Sequence, residues 1–181
     1  ADDMLDENND GADDNDYPIP NNHEGWGRVN VAAATAGNAQ YVDDTTGLGT
    51  SGTPSYQFSV NAGGAFKVSL VWSDYPGSTA ASVALVNDLD LVVTSPGGTQ
   101  YRGNVFSGGW SQAGGSADRT NNVENVYVQS AEAGTWTVQV SGYNVPNGPQ
   151  PYALVVDWSL GDPGPTLTPT PITPTPTSTP V

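Results

Sequence analysis

The chain has no cysteine, which excludes a disulfide scaffold and a zinc site built from thiolates. It also has no apolar run of about 18 residues, so we expect no helix that spans a membrane. Basic residues are scarce: Lys and Arg together number 4, against 19 acidic residues, and the formal net charge is −15. Phosphates and anionic lipid head groups repel so acidic a chain. The composition therefore argues against nucleic-acid and membrane-surface partners.

Glycine and proline are abundant, with 22 and 15 copies in 181 residues. Such a composition is typical of short strands joined by many turns rather than of a helical bundle. Many of the prolines lie in residues 161–181, a Pro/Thr-rich segment without an apolar face to bury. We expect this tail to be extended and disordered, and to serve as a linker or stalk.

Hydrophobic residues alternate with polar ones along several short segments, as in half-buried strands. Phe66, Val68, Leu70 and Trp72 share one face, and turn residues such as Ser95-Pro96-Gly97-Gly98 separate the segments. The predicted strands lie at residues 56–60, 66–72, 88–93, 123–129, 135–141 and 152–159. The pattern predicts an all-β fold, an antiparallel β-sandwich or jelly roll. An irregular acidic segment precedes it and the disordered tail follows it.

The chain divides into four parts by composition. Residues 1–36 are acidic and irregular, apart from an Ala-rich stretch that predicts a helical turn or two from Val31. Residues 37–52 are predicted to be a linker, residues 53–160 the sandwich, and residues 161–181 the tail.

Two carboxylates on one strand point to a metal site. Asp88 and Asp90 project from the same face of a strand, and they repel each other unless a cation, an arginine or a proton compensates. Calcium prefers oxygen ligands, which are plentiful nearby. The candidate metal ligands are Asp74, Asp88, Asp90, Asp118, Asn122 and Glu124. The alternative is a polar face on which Arg102 or Arg119 neutralises the acids.

The acidic N-terminal segment offers a second calcium candidate. Residues 6–11 match the first half of an EF-hand loop, but position 12 of that loop falls on Tyr17 instead of a bidentate Glu. A solvated acidic loop is the other interpretation.

One tryptophan suggests a different kind of site. Trp110, in Gly108-Gly109-Trp110-Ser111, is the sandwich tryptophan with a loop-like setting, whereas Trp72, Trp136 and Trp158 fall on apolar strand faces. An exposed tryptophan on a β-sandwich can stack on a sugar. The sequence therefore also allows a module that binds a polysaccharide or a protein surface through Trp110.

Several segments resemble one protein family. Gly25-Trp26-Gly27-Arg28-Val29 resembles the stretch that opens the last helix of the catalytic domain in subtilisin-like serine proteases. Five further segments resemble, in order, the C-terminal jelly-roll domain of the oxidatively stable alkaline subtilases, and the match runs from about residue 22 to residue 159. These five segments begin at Val68, Leu85, Ser95, Asn121 and Tyr143.

The resemblance implies a calcium-supported jelly roll beside a protease domain, and it implies that residues 1–36 are the C-terminal remnant of that catalytic domain. The family's Asp, His and Ser catalytic residues would all lie upstream of Ala1, so the resemblance assigns none to this chain. The expected partner is that catalytic domain. We expect a secreted, non-catalytic accessory domain that supports protease stability or folding, with a tail that joins a surface or a further domain.

A catalytic role for this chain itself is not expected. Gly49-Thr50-Ser51 matches the start of the subtilisin nucleophile signature Gly-Thr-Ser-Met-Ala, but Gly52-Thr53-Pro54 follows, with no helix-forming segment behind. His23 is the only histidine, and a triad needs a histidine oriented by a buried acid. We interpret the match as a coincidence.

Overall fold

The computed structural model describes residues 18–35 and 39–158. The EF-hand-like stretch at residues 6–11 and the Pro/Thr-rich tail lie outside the described residues. The described part contains one short helix, α1 (Val31–Ala34), and nine strands. The strands are β1 (Gln40–Leu48), β2 (Ser55–Val60), β3 (Phe66–Val71), β4 (Asp88–Thr94), β5 (Gln100–Ser107), β6 (Trp110–Ala113), β7 (Val123–Val128), β8 (Gly134–Asn144) and β9 (Gln150–Trp158).

The strands form two antiparallel sheets. The four-stranded sheet has the order β1-β9-β3-β7, and the five-stranded sheet has the order β2-β8-β4-β5-β6. The predicted all-β sandwich is confirmed.

The core lies between the sheets and is filled by the alternating residues of the central strands. Phe66, Val68 and Leu70 of β3 are fully buried. The inward-facing residues of β4 and β8 are also buried, namely Leu89, Leu91, Val93, Trp136, Val138 and Val140. The ring of Trp136 packs at 5.0 Å from that of Phe66, between centroids. The period of two in the sequence was therefore a correct guide to the buried face.

The sandwich begins earlier than the sequence predicts. The predicted linker, residues 37–52, contains β1, which pairs with β9 from Gln40↔Val156 to Leu48↔Gln150. The linker prediction is therefore wrong for residues 40–48. The strand was missed because β1 is an edge strand with few apolar residues, so its sequence shows little alternation. Its pairing to β9 and the buried side chain of Leu48 hold it to the core.

Within the described ranges, no helix is long and apolar enough to cross a membrane. The predicted helical turn at Val31 is present as α1.

Candidate functional site

The two carboxylates predicted to share a face are together, and an arginine lies between them. Asp88 and Asp90 stand on β4, and Arg119 comes from the long connection between β6 and β7. Nη1 of Arg119 lies 3.1 Å from Oδ1 of Asp88 and also contacts Oδ1 of Asp90, while Nη2 lies 3.2 Å from Oδ2 of Asp90. Burial raises the pKa of Asp88 to about 6, against the opposing attraction of Arg119. Arg119 thus supplies, from within the chain, a positive charge that offsets part of the cost of burying the pair.

Asp118 is committed to its own loop. Its Oδ2 accepts hydrogen bonds from the amides of Asn104 and Asn121, and its Oδ1 accepts from the backbone and hydroxyl of Thr120. Burial alone would raise the pKa of Asp118, but these hydrogen bonds outweigh it and lower the pKa to about 2. Asp118 is therefore an ionised carboxylate that orders the loop.

Asp74 and Asn122 also have structural partners. Asp74 accepts hydrogen bonds from the backbone N–H groups of Tyr75, Val86 and Asn87, and so closes the long connection between β3 and β4 at its base. The side-chain amide of Asn122 donates to the carbonyl of Trp72 at 2.9 Å.

Glu124 is the most buried of the six candidates, with 1% of its surface exposed. Its Oε2 accepts a hydrogen bond from the backbone N–H of Leu91 at 2.7 Å. The pairing of Val92 with Arg102 would, if continued by one residue, place Gly103 of β5 opposite Leu91, so the carboxyl group takes the position of a backbone partner. Its Oε1 is buried without a hydrogen-bond partner. Burial raises the pKa of Glu124 to about 8, so this carboxyl group is protonated in most molecules at pH 7.

These six residues do not fit a shared calcium shell. In the part of the chain that the structure describes, no group of three or more His, Cys, Asp or Glu side chains is placed to hold a metal ion. Asp88 and Asp90 face the guanidinium of Arg119, whose positive charge would repel a cation there. The carboxylate groups of Asp118 and Asp74 already accept several hydrogen bonds from the protein. We therefore derive no role for calcium from these six side chains.

A second cluster joins the N-terminal segment, residues 18–30, to the sandwich. The ring of Trp26 packs edge-on against Phe106 of β5 at 5.6 Å and against Tyr127 of β7 at 6.0 Å, between centroids. Phe106 and Tyr127 pack edge-on against each other at 5.5 Å. We call Trp26, Phe106 and Tyr127 the three-ring cluster. Edge-to-face pairs of this kind are favourable, so the cluster anchors the segment.

A cavity of about 600 Å³ opens beside the three-ring cluster. Both parts of the chain line it, and the lining includes aromatic rings, side-chain amide groups and Asp118. The lining residues that matter here are Asn22, Trp26, Phe106, Asp118 and Asn121.

Trp110 lies at the start of β6 and not in a loop. Its side chain is half-buried, and Nζ of Lys67 lies 5.9 Å from its ring centroid. The same Lys67 lies 5.2 Å from the ring of Tyr127, so Trp110 adjoins the three-ring cluster. The sequence therefore placed Trp110 wrongly, because the short strand β6 has almost no alternation to reveal it.

Two features of these sites were hard to read from sequence. The role of Trp26 was missed, because its partners Phe106 and Tyr127 are 80 and 101 positions away in sequence. From the sequence, Arg119 was considered only as an alternative to a metal ion. The clue to its role is that it is one of only 4 basic residues and stands next to Asp118.

Comparison with known proteins finds partial similarity to two large proteins of Dictyostelium discoideum. The serine protease/ABC transporter B family protein tagA is 31% identical over 117 residues, which are 63% of this chain and 7% of that protein. The corresponding protein tagB is 35% identical over 89 residues, which are 48% of this chain and 5% of that protein. The chain thus spans less than a tenth of the length of these relatives.

No protein-family model matches the chain. A crystal structure of a protein from Sulfurospirillum deleyianum covers 67% of this chain and 98% of its own chain, with a TM-score of 0.37 and 4% identity.

Proposed function

We propose that this chain is a non-catalytic accessory part of a secreted subtilisin-like serine endopeptidase, in which the sandwich stabilises the catalytic domain. The three-ring cluster is the observation that carries the proposal. Trp26 belongs to the segment that resembles the end of a subtilase catalytic domain, and its ring packs against two strands of the sandwich. A contact of this kind couples the stabilities of the two parts, because unfolding either part removes the packing that stabilises the other.

Exposed apolar side chains near α1 support the same proposal. Val29 is 79% exposed, Val31 is 66% exposed and Tyr41 is 65% exposed. The hydroxyl of Tyr41 donates to the carbonyl of Ala34 at 3.4 Å, so Tyr41 lies beside the end of α1, the helix that begins at Val31. Exposed apolar side chains around a short helix are a feature of surfaces that pack against another domain. The proposed occupant is the catalytic domain that precedes this segment.

The partial similarity to tagA and tagB agrees with this proposal, since both are named as serine proteases. The proposal places the catalytic Asp, His and Ser in the upstream domain. Ser51 has no part in it, because it lies in an exposed turn where its N–H donates to the carbonyl of Gly142.

A peptidase assay tests the proposal. The natural polypeptide that carries this chain is expected to hydrolyse peptide substrates and to be inhibited by a serine-directed sulfonyl fluoride. The chain of residues 1–181 alone is expected to show no turnover. Turnover by this chain that is abolished by Ser51→Ala would contradict the proposal, and so would a natural polypeptide without peptidase activity.

A module that binds a polysaccharide is the second candidate function, and the cavity beside the three-ring cluster is the observation that favours it. A lining that combines aromatic rings with amide groups suits a hydroxylated ligand. This candidate predicts that the chain is retained on an insoluble polysaccharide. It also predicts that Asn22→Ala, at an exposed cavity residue, reduces retention more than Trp110→Ala does. Equal retention of the parent and both variants would exclude the cavity as the binding site.

A further inference from the structure

The acid pair on β4 needs a positive charge, whatever supplies it. The side chains of Asp88 and Asp90 are only 10% and 13% exposed. Two carboxylates so close and so poorly hydrated destabilise the fold unless a cation or a proton compensates.

Arg119 meets this need with several contacts at once. It contacts both carboxylates, and its Nη1 also lies 3.0 Å from the backbone carbonyl of Asp118. The guanidinium carbon lies 3.7 Å from the ring centroid of Tyr143 on β8, close enough for a cation–π interaction. A planar guanidinium with five donors suits two carboxylates and an aromatic face better than a lysine would.

The loop around Arg119 is held in place, so the contact is a built feature of the fold. Asp118 is fixed by hydrogen bonds from Asn104 and Asn121, and Asn122 is tied to the end of β3 through the carbonyl of Trp72. Arg119 therefore lies between Asp118 and Asn122, two residues whose side chains are held by hydrogen bonds.

We propose that Arg119 takes the place of a structural metal ion at Asp88 and Asp90, so that this part of the sandwich is stable without a divalent cation. The inference runs against the calcium site expected at these residues. It is independent of the proposed function, because it concerns the charge balance of the sandwich alone.

Thermal unfolding of the full chain, followed by circular dichroism, tests this inference. Four proteins are compared in millimolar CaCl₂ and in EGTA: the parent, R119Q, D88N/D90N and D88N/D90N/R119Q. The parent and D88N/D90N are expected to respond equally to calcium. R119Q is expected to lower the midpoint on the order of 5 °C, since it leaves two acids uncompensated.

The triple variant separates charge compensation from packing. If Arg119 acts by compensating the acids, the loss caused by R119Q largely disappears in the D88N/D90N background. The inference is overturned if R119Q costs the same in both backgrounds. It is also overturned if calcium raises the midpoint of the parent more than that of D88N/D90N, because the metal ion would then bind at the acid pair. Should R119Q fail to fold, the comparison of the parent with D88N/D90N still decides the outcome.

Discussion

Gly103 lies so close to Glu124 that a Cβ at residue 103 would be 2.7 Å from Cδ of Glu124. The buried carboxyl group therefore occupies the space that any other residue at position 103 would need. The missing side chain of Gly103 leaves room for Glu124 to accept a hydrogen bond from the N–H of Leu91. Leu91 lies outside the paired region of β4 and β5, which covers Val92 to Thr94.

Substitution of Gly103 tests this relationship. Gly103→Ala is expected to destabilise the chain by about 1–3 kcal/mol, because the added methyl group must displace a buried carboxyl group. Urea unfolding measures the loss. Gly49→Ala is the matched control, since a Cβ there meets nothing within 4 Å and should change stability little. Equal effects of the two substitutions would contradict the close packing at Gly103.

Glu124 is expected to make stability depend on pH. Burial raises its pKa from 4.5 to about 8, so the folded state binds more protons than the unfolded state between these values. The free energy of unfolding should therefore fall as the pH rises from 4.5 to 8, and then level off. Asp88, with a pKa raised from 3.8 to about 6, adds a smaller effect of the same sign.

Glu124→Gln should flatten this dependence, because the amide does not titrate. Urea unfolding over a series of pH values measures the slope. Glu132→Gln serves as the control, since Glu132 is an exposed residue that accepts a hydrogen bond from the N–H of Gly97. Parallel curves for the parent and Glu124→Gln would show that Glu124 does not titrate in this range.

A buried amide network near the start of β4 should be intolerant of charge. Asn87 is 0% exposed, and its Nδ2 donates to Oε1 of Gln150 at 2.8 Å and to the carbonyl of Asn147 at 3.0 Å. Asn87→Asp removes both donors and places a carboxylate opposite two acceptor oxygens. We expect a loss of at least about 2 kcal/mol by urea unfolding. Asn61→Asp, at an exposed position, should have little effect.

The anchoring of the N-terminal segment can be tested in the chain itself. Trp26→Ala removes both edge-to-face contacts of that ring, and each such pair contributes about 0.5–1.5 kcal/mol. Amide hydrogen exchange in residues 18–30 should then be about tenfold faster, while exchange in β3 and β8 stays unchanged. Tyr75→Ala, at a side chain 54% exposed, is the control. Unchanged exchange in the segment would mean that the three-ring cluster does not hold it.

Local patterns in the sequence predicted the strands in which apolar and polar residues alternate, and they missed β1, β5 and β6. β3 alternates strictly and β4 does so as far as Leu91, and both bury the predicted side chains. Alternation also revealed the edge strands β2 and β7, whereas the interior strand β5 was missed. β1 and β6 are edge strands with polar sequences, so their pairing depends on neighbours distant in sequence.

The same limit applies to the candidate site. The period of two correctly brought Asp88 and Asp90 together, but it says nothing about what faces them. Arg119 reaches them from 29 and 31 positions away, through a loop whose course depends on Asp118 and its hydrogen bonds. The choice between an arginine and a metal ion is therefore a tertiary property.

The proposed function requires the sandwich to stabilise a protease domain through Trp26. The most direct test is the half-life of peptidase activity at raised temperature, measured on the natural polypeptide that carries this chain. The Trp26→Ala variant is compared with the parent and with Tyr75→Ala. We expect a half-life roughly tenfold shorter for Trp26→Ala, with unchanged kcat/KM at low temperature, and no change for Tyr75→Ala. Equal half-lives for all three proteins would contradict the proposal.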